Sequence, residues 1–257
     1  MRSGRHRLAT LILLLVPVST LAQGGPPMIT DDPDTPGPGF WEINLAGLIE
    51  RSQTERRQEA PAADINYGVG ERIQLKFEIP WINSSEPGQP FQAAVGNSNS
   101  GVKWRFMGQE GQRIAWSIYP QLELNTGHAA LRKGIADEGP RLLLPTELTV
   151  QVWRFEINGE VGRRFVKNGN NGWVAGLLVE FEFSRASEVI AELHADQNGA
   201  GPRQLILNFG ARQKLTEQLI LLLAAGTAVS GAPMERTQLR VYVGLQLNLP
   251  HIYTTHN

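Results

Sequence analysis

Strict alternation of apolar and polar residues is the feature that most limits how this chain can fold. In residues 73–81, "IQLKFEIPW", every second residue is apolar, and the residues between include Lys76 and Glu78. Successive side chains of an extended chain point to opposite faces, so this segment is predicted to be a strand with two unlike faces. The apolar face meets either a protein core or lipid, and the two cases predict different folds.

The same alternation recurs along most of the chain after residue 39 and predicts twelve strands. Polar segments rich in glycine separate them, and no stretch shows the 3.6-residue period of a helix. No linker divides the chain, which indicates a single β domain. The predicted strands span residues 40–51, 62–69, 72–81, 101–107, 113–124, 141–152, 154–165, 172–183, 187–196, 203–214, 217–229 and 237–249.

The length of the strands favours a membrane barrel. Segments of about ten alternating residues match a tilted strand that crosses a bilayer, whereas globular strands average about five or six residues. We therefore predict an all-β fold, an antiparallel up-and-down transmembrane β-barrel of about 12 strands. A soluble periplasmic β-sandwich that carries a lipid or solute is the alternative. Aromatic residues also lie near strand ends, as in interfacial girdles: Phe40, Trp41, Trp81, Trp104, Phe106, Trp173 and Phe183.

The N-terminus has the composition of a secretory signal peptide. Arg2, Arg5 and Arg7 precede an apolar run at residues 8–18, and small residues precede Ala22. Cleavage after Ala22 would remove three arginines and change the formal charge from -1 to -4. A retained anchor is the alternative, although the run is short for a bilayer.

Four segments follow from these patterns. They are a signal peptide at 1–22, an irregular lead-in rich in proline and glycine at 23–39, an outer-membrane barrel at 40–250, and a C-terminal tail at 251–257. The chain has no cysteine, which excludes disulfides, thiolate metal sites and cysteine nucleophiles. Its small net charge gives no case for binding nucleic acid.

In a barrel, the polar face of each strand points into the lumen. Opposite charges on adjacent strands pair, and there they either set the selectivity of a pore or plug a narrow barrel. A barrel of twelve strands is intermediate in width between small barrels that side chains fill and open porins. We therefore expect a partly filled lumen, with the lead-in folded into it or against it. The candidate lumen-lining residues are Glu42, Asn44, Lys76, Glu78, Lys103, Arg105, Glu180, Glu182, Glu192, His194 and Arg240.

Catalysis has little support in the sequence, and no enzyme activity is predicted. Glu192 and His194 share one face of a strand, so an outer-membrane hydrolase with a lumen or rim histidine such as His194 or His128 is an alternative. Residues 30–34, "TDDPD", bring together three carboxylates, which are calcium ligands. Their spacing differs from an EF-hand and an Asp-Pro turn explains them, so no metal site and no cofactor is predicted.

The last predicted strand resembles the signal that the outer-membrane barrel assembly machinery reads. In "YVGLQLNL" the residues that carry this resemblance are Tyr242, Gly244, Leu247 and Leu249. The segment departs from the usual pattern because it ends in leucine instead of an aromatic residue, and because a tail follows it.

Four segments also resemble the MetA-pathway of phenol degradation family. They are "GPPMITDDPDTPGPGFWEINLA", "APAADINYGVGERIQLKFEIPW", "GVKWRF" and "YPQLELNTG". The resemblance implies a transporter-like barrel in the outer membrane of a Gram-negative cell, reached through the cleavable signal peptide. It also implies a passive channel for a small molecule, with hydrophobic and aromatic molecules among the candidates. The expected partners are outer-membrane lipid, the assembly machinery and that solute, and not nucleic acid.

Overall fold

The computed structural model describes residues 25–109, 112–136, 139–167, 169–197 and 203–250. The predicted signal peptide and the tail at 251–257 lie outside these residues. The elements in chain order are β1 Trp41–Arg51, β2 Arg56–Val69, β3 Ile73–Ser85, β4 Gln92–Val95, β5 Ser98–Met107, β6 Ile114–Ile118, β7 Gln121–Leu124, α1 His128–Arg132, β8 Arg141–Val152, β9 Phe155–Val166, β10 Gly172–Ser184, β11 Ser187–Gln197, β12 Gln204–Lys214, β13 Leu219–Ser230 and β14 Leu239–Leu249.

The strands form one sheet that closes on itself. Neighbouring strands pair antiparallel, and the sheet closes where β1 pairs with β14 over the full length of both strands. β6 and β7 are two halves of one wall strand, because both pair with β5 on one side and β8 on the other. β4 is a short addition to the end of β3. The fold is therefore a closed 12-stranded antiparallel β-barrel, as predicted, and not a sandwich of two sheets.

The two faces of the wall have opposite chemistry. On β3, Leu75, Phe77 and Trp81 are exposed on the outside, whereas Gln74, next to Leu75, is buried inside. The same division holds on β10, where Leu177 is exposed and Glu180 is buried. The apolar stripe of the sequence thus covers the outer surface, and the polar stripe fills the lumen. Among the described residues, no helix is long and apolar enough to cross a membrane.

The strand ends differ from the prediction near one rim. β2 begins at Arg56 and β3 continues to Ser85, although these segments were expected to be loops. Backbone pairing between the two strands continues through their polar ends, which carry no alternation that would reveal it. The predicted loops also contain β4 and α1, where Ala130 packs in a small apolar cluster with Ile82.

A β-bulge changes the orientation of one residue. The alternation places Met107 on the inner face with Lys103 and Arg105, but the register shifts between Arg105 and Met107. Met107 therefore pairs with Trp116 and points outwards, 41% exposed.

The two ends of the barrel are unlike. Turns of two to four residues connect strands at 70–72, 153–154, 185–186 and 215–218, and we call this rim the turn end. The connections at 86–97 and 125–140 lie at the opposite rim, the loop end. In bacterial outer-membrane barrels the short turns lie in the periplasm and the longer loops outside.

The outward face gives a direct test of lipid contact. Val161→Arg places a charge on the middle of β9, where we expect a cost of about 2–4 kcal/mol for folding into lipid vesicles. Val152→Arg, at the turn end of β8, is the matched control with an expected cost of about 0–1 kcal/mol. The two valines are 54% and 55% exposed, so burial within the protein does not separate them. If urea titrations gave the same loss of unfolding free energy for both variants, the result would contradict a lipid-facing wall.

Candidate functional site

The lead-in lies inside the barrel and forms a plug, here residues 25–39. It enters at the turn end, where the Gly39 amide donates to the Gly68 carbonyl oxygen at 2.8 Å. Its far part is a compact turn in which the Gly25 amide donates to the Thr30 carbonyl oxygen at 2.9 Å. Met28, Thr30 and Asp32 are buried against the inner wall. The plug therefore fills the turn-side half of the lumen.

Two predicted lumen cations bind the plug. Lys103 Nζ lies 2.8 Å from Asp31 Oδ1 and also donates to the Asp32 carbonyl oxygen. Arg105 donates to Asp34 Oδ1 at 2.7 Å. Lys103 also lies 3.7 Å from the buried carboxylate of Glu147. These β5 side chains thus fasten the acidic lead-in to the wall.

Wall carboxylates accept hydrogen bonds from the plug backbone. Glu192 Oε1 accepts from the amides of Ile29 and Thr30, at 2.9 and 2.5 Å. Glu160 Oε2 accepts from the Asp31 amide at 3.0 Å. An irregular buried segment cannot pair its amides within a sheet, so these side chains supply the acceptors that its backbone needs.

Arg212 binds the beginning of the plug. Its guanidinium donates to Glu180 at 2.8 Å, to Glu188 at 3.2 Å and to the Pro26 carbonyl oxygen at 3.3 Å. The alternation places Arg212 on the polar face, although it was not among the candidate lumen residues, and the buried carboxylates of β8 and β9 were missed. The signal for them was present in "EINGEV", where Glu156, Asn158 and Glu160 alternate with outward residues.

Glycines on the inner wall make room for the plug. A Cβ atom on Gly176 would overlap the Thr30 side chain, and one on Gly210 would overlap the end of Met28. At the entrance, a Cβ on Gly68 would overlap the backbone of Gly37. These three glycines therefore mark places where the plug contacts the wall.

The two adjacent carboxyls of the plug have opposite pKa shifts. Burial alone would raise the pKa of Asp31, but the charges of Lys103 and Lys76, together with hydrogen bonds from Lys103 and the Asp32 amide, hold that pKa below its usual value. Burial raises the pKa of Asp32 well above its usual value, and the charge of Asp34 adds to this. Nearby positive charges thus stabilise the charged form of Asp31, whereas the charged form of Asp32 is poorly stabilised.

The other predicted lumen residues lie on the inner wall as well. Asn44 Nδ2 donates to Glu42 Oε1 at 3.0 Å, and Lys76 Nζ lies 3.4 Å from Glu78 Oε2 and 3.6 Å from Asp64 Oδ1. They belong to a polar surface on β1, β2 and β3. Arg240 forms an ion pair with Glu50, and Glu182 is partly buried near the turn end of β10.

A cavity of about 270 Å³ lies beside the plug in the middle of the lumen. It reaches from Met28 and Asp31 to the ion pair of Arg164 and Asp196, whose atoms lie 2.9 Å apart nearer the loop end. One wall is polar. The apolar wall includes Ala46, Leu48 and Tyr242. These three residues belong to an apolar patch that continues through Ile220, Leu222 and Ala224. Alternation did not reveal the patch, because β13 is apolar on both faces.

His194 has a structural contact in the plug. Its Nδ1 lies 3.2 Å from the Thr30 hydroxyl, and the Thr30 side chain is fully buried. Both carboxylate oxygens of Glu192 are engaged elsewhere, by the plug amides and by Asn208. The carboxylate–imidazole pair that the sequence allowed is thus absent from the contacts of the described residues. His128 begins α1 at the loop end.

The residues of the predicted assembly signal alternate on β14. Tyr242 and Gly244 face the lumen, whereas Leu247 and Leu249 lie on the outer face. A Cβ on Gly244 would lie 2.9 Å from Tyr242 Cε1, so the glycine leaves space for the ring that completes the apolar patch. The assembly role itself remains a prediction.

Comparison with known proteins supports the fold. No family model and no curated protein sequence matches the chain. An outer membrane channel from Pseudomonas putida F1 is similar with a TM-score of 0.72 and 10% identity, over 85% of this chain and 98% of that one. The KdgM porin has a TM-score of 0.57 and 12% identity, over 80% and 98%. The NanC porin has a TM-score of 0.51 and 9% identity, over 80% and 100%. Identities this low show a shared barrel fold, and membership of the MetA-pathway family stays a prediction.

The close approach of Gly176 to Thr30 can be tested by adding a side chain. Gly176→Val is expected to displace the plug and to speed hydrogen exchange of its Thr30 and Asp31 amides, measured by mass spectrometry. Gly159→Val, on the neighbouring strand, is the control, because a Cβ there meets no atom within 4 Å. Unchanged exchange in folded Gly176→Val protein would contradict the described position of the plug.

The charge of Lys103 is expected to stabilise the folded barrel. Lys103→Met leaves the carboxylates of Asp31 and Glu147 without their buried cation, and removing one partner of a buried pair costs about 3–5 kcal/mol. Lys214→Met, which breaks the exposed pair with Glu217, should change urea unfolding little. Equal unfolding midpoints for the two variants would show that Lys103 is not held in this network.

Proposed function

We propose that the protein is a passive outer-membrane channel for a small solute that is neutral or cationic and partly apolar. The observation that carries this proposal is the central cavity, which has one apolar wall and one polar wall and adjoins a plug. A cavity of this size accommodates a molecule that has one ring and a few additional carbon atoms. No covalent step is needed, and the concentration gradient of the solute drives its passage.

The outer surface supports a membrane location. Large apolar side chains cover the outside of the wall and the polar ones face inwards, which is the arrangement of a lipid-embedded barrel. The structures with the same fold are named as an outer membrane channel and as porins. The predicted signal peptide and the resemblance of the last strand to an assembly signal agree with export to this membrane.

The charge of the cavity supports the choice of solute. Carboxylates outnumber cationic side chains along its lining, so the field inside attracts cations and repels anions. The apolar patch offers a surface for hydrocarbon, in line with the aromatic or hydrophobic solute that the MetA-pathway resemblance implies. The lining carboxylates are Asp31, Glu59, Asp64, Glu78, Glu160 and Asp196, and the lining cations are Lys76, Arg164 and Arg240.

The plug controls the path to the turn end. Its contacts are mostly hydrogen bonds and ion pairs to side chains, such as Lys103 with Asp31 and Arg105 with Asp34. Such contacts can be exchanged for water or solute without breaking the wall, whose own pairing is backbone to backbone. Passage through the turn end therefore requires a shift of the plug and leaves the barrel closed.

The proposal is tested by measuring the uptake of solutes into lipid vesicles that contain the purified protein. Phenyltrimethylammonium and benzenesulfonate share one aromatic ring and carry permanent opposite charges. We expect the cation to enter several-fold faster, and Glu78→Gln to reduce this preference because it removes a lining carboxylate. Deletion of residues 25–36 should raise the entry of both ions, because it removes most of the plug.

Two results would contradict the channel. Entry of both ions at the rate of protein-free vesicles, for the folded deletion variant, would show that the lumen is not a path. Faster entry of benzenesulfonate would show that the carboxylates of the lining do not set selectivity. Heat-modifiable migration on a gel establishes that each variant is folded before it is tested.

A further inference from the structure

Three buried carboxylates converge where the plug meets the turn-side wall. One oxygen each from Asp32 of the plug, Glu156 of β9 and Glu180 of β10 lies within 4.8 Å of the other two. All three side chains are buried. We propose that this cluster, the carboxylate triad, binds a divalent cation of the calcium type and joins the plug to the wall.

Asp32 provides independent support, because one of its oxygens lacks a partner. Its Oδ1 accepts from the Asp34 amide at 2.7 Å, whereas no donor among the described residues reaches its Oδ2. The residue is only 2% exposed. A buried carboxylate oxygen without a donor is costly, and a bound cation removes that cost.

The two nearby cations are shared between the triad and carboxylates outside it. Arg212 binds Glu188 as well as Glu180, at 3.2 and 2.8 Å. Lys103 Nζ lies 2.8 Å from Asp31 and 3.9 Å from Asp32. Glu156 receives one neutral hydrogen bond, from Asn158 at 3.2 Å. Negative charge in the triad is therefore only partly offset by the protein itself.

Oxygen separations of up to 4.8 Å are compatible with a calcium site. Two oxygens on opposite sides of a Ca²⁺ ion are about 4.8 Å apart, because its ligand distances centre on about 2.4 Å. Around Mg²⁺ the same distance is about 4.1 Å, and that ion keeps its water more firmly. The larger ion tolerates the wider separations that this limit allows, so we expect the triad to prefer Ca²⁺, with water completing the coordination shell.

The position of the triad gives the cation a mechanical role. Glu156 and Glu180 lie opposite each other on paired strands of the wall, whereas Asp32 belongs to the plug. An ion held by all three carboxylates crosslinks the plug to β9 and β10. This inference concerns a binding site in the folded protein and does not depend on passage of any solute.

Calorimetry of the mature protein in detergent tests the site directly. The protein is treated with a chelator, freed of it, and titrated with CaCl₂ or with MgCl₂. We expect about one Ca²⁺ ion per chain, weaker binding of Mg²⁺, and a higher temperature for loss of the heat-modifiable folded band with Ca²⁺. Glu156→Gln should weaken Ca²⁺ binding by about tenfold or more, since even indirect supports of a metal site cost about 10–100-fold.

Two further variants keep the test decisive. Asp32→Asn should weaken binding in the same way from the plug side, so a folding defect of one variant does not end the test. Glu59→Gln is the control: it removes an inner-wall carboxylate of β2 that pairs with Arg57 and lies outside the triad, and binding should be unchanged. The proposal is overturned if folded wild-type protein shows no calcium heat at millimolar concentration. Binding that survives in both triad variants would also overturn it and place the ion elsewhere.

Discussion

The backbone of a strand in hydrocarbon has no water to bind, so every wall amide and carbonyl must find a partner within the protein. Pairing of β1 with β14 meets this requirement by closing the sheet. Closure then fixes the position of all other groups, because alternate side chains must point either to lipid or into one narrow space. The acidic lumen, the plug and the cavity are consequences of this division.

The wall and the plug satisfy each other's polar groups. Glu192 Oε1 and Glu160 Oε2 accept hydrogen bonds from plug amides, and these amides are donors that the wall backbone does not pair. Lys103 connects the same two partners by charge. The lead-in is therefore part of the folded core of this barrel, although its sequence has the composition of an irregular segment.

Alternation was sufficient to predict the barrel and most of its strands, because lipid on one side imposes a period of two. It was insufficient where that pattern is absent or broken. β13 is apolar on both faces, so its inner residues Ile220 and Leu222 and the patch they form were missed. Met107 was placed on the wrong face because a bulge leaves no mark in composition. The plug contacts join residues that are far apart in the chain, such as Thr30 and Glu192. No local sequence pattern indicates that such residues lie close together in space.

The plug precedes β1 in the chain, and the seam of the barrel joins β1 to the last strand. Synthesis therefore delivers the plug before every wall strand and its final enclosure last. Its partners come from β5, β9, β11 and β12, which surround one space only when the sheet has curved round to the β1–β14 seam. A segment made before the wall is thus among the last to reach its native contacts, and its burial reports that assembly of the wall is complete.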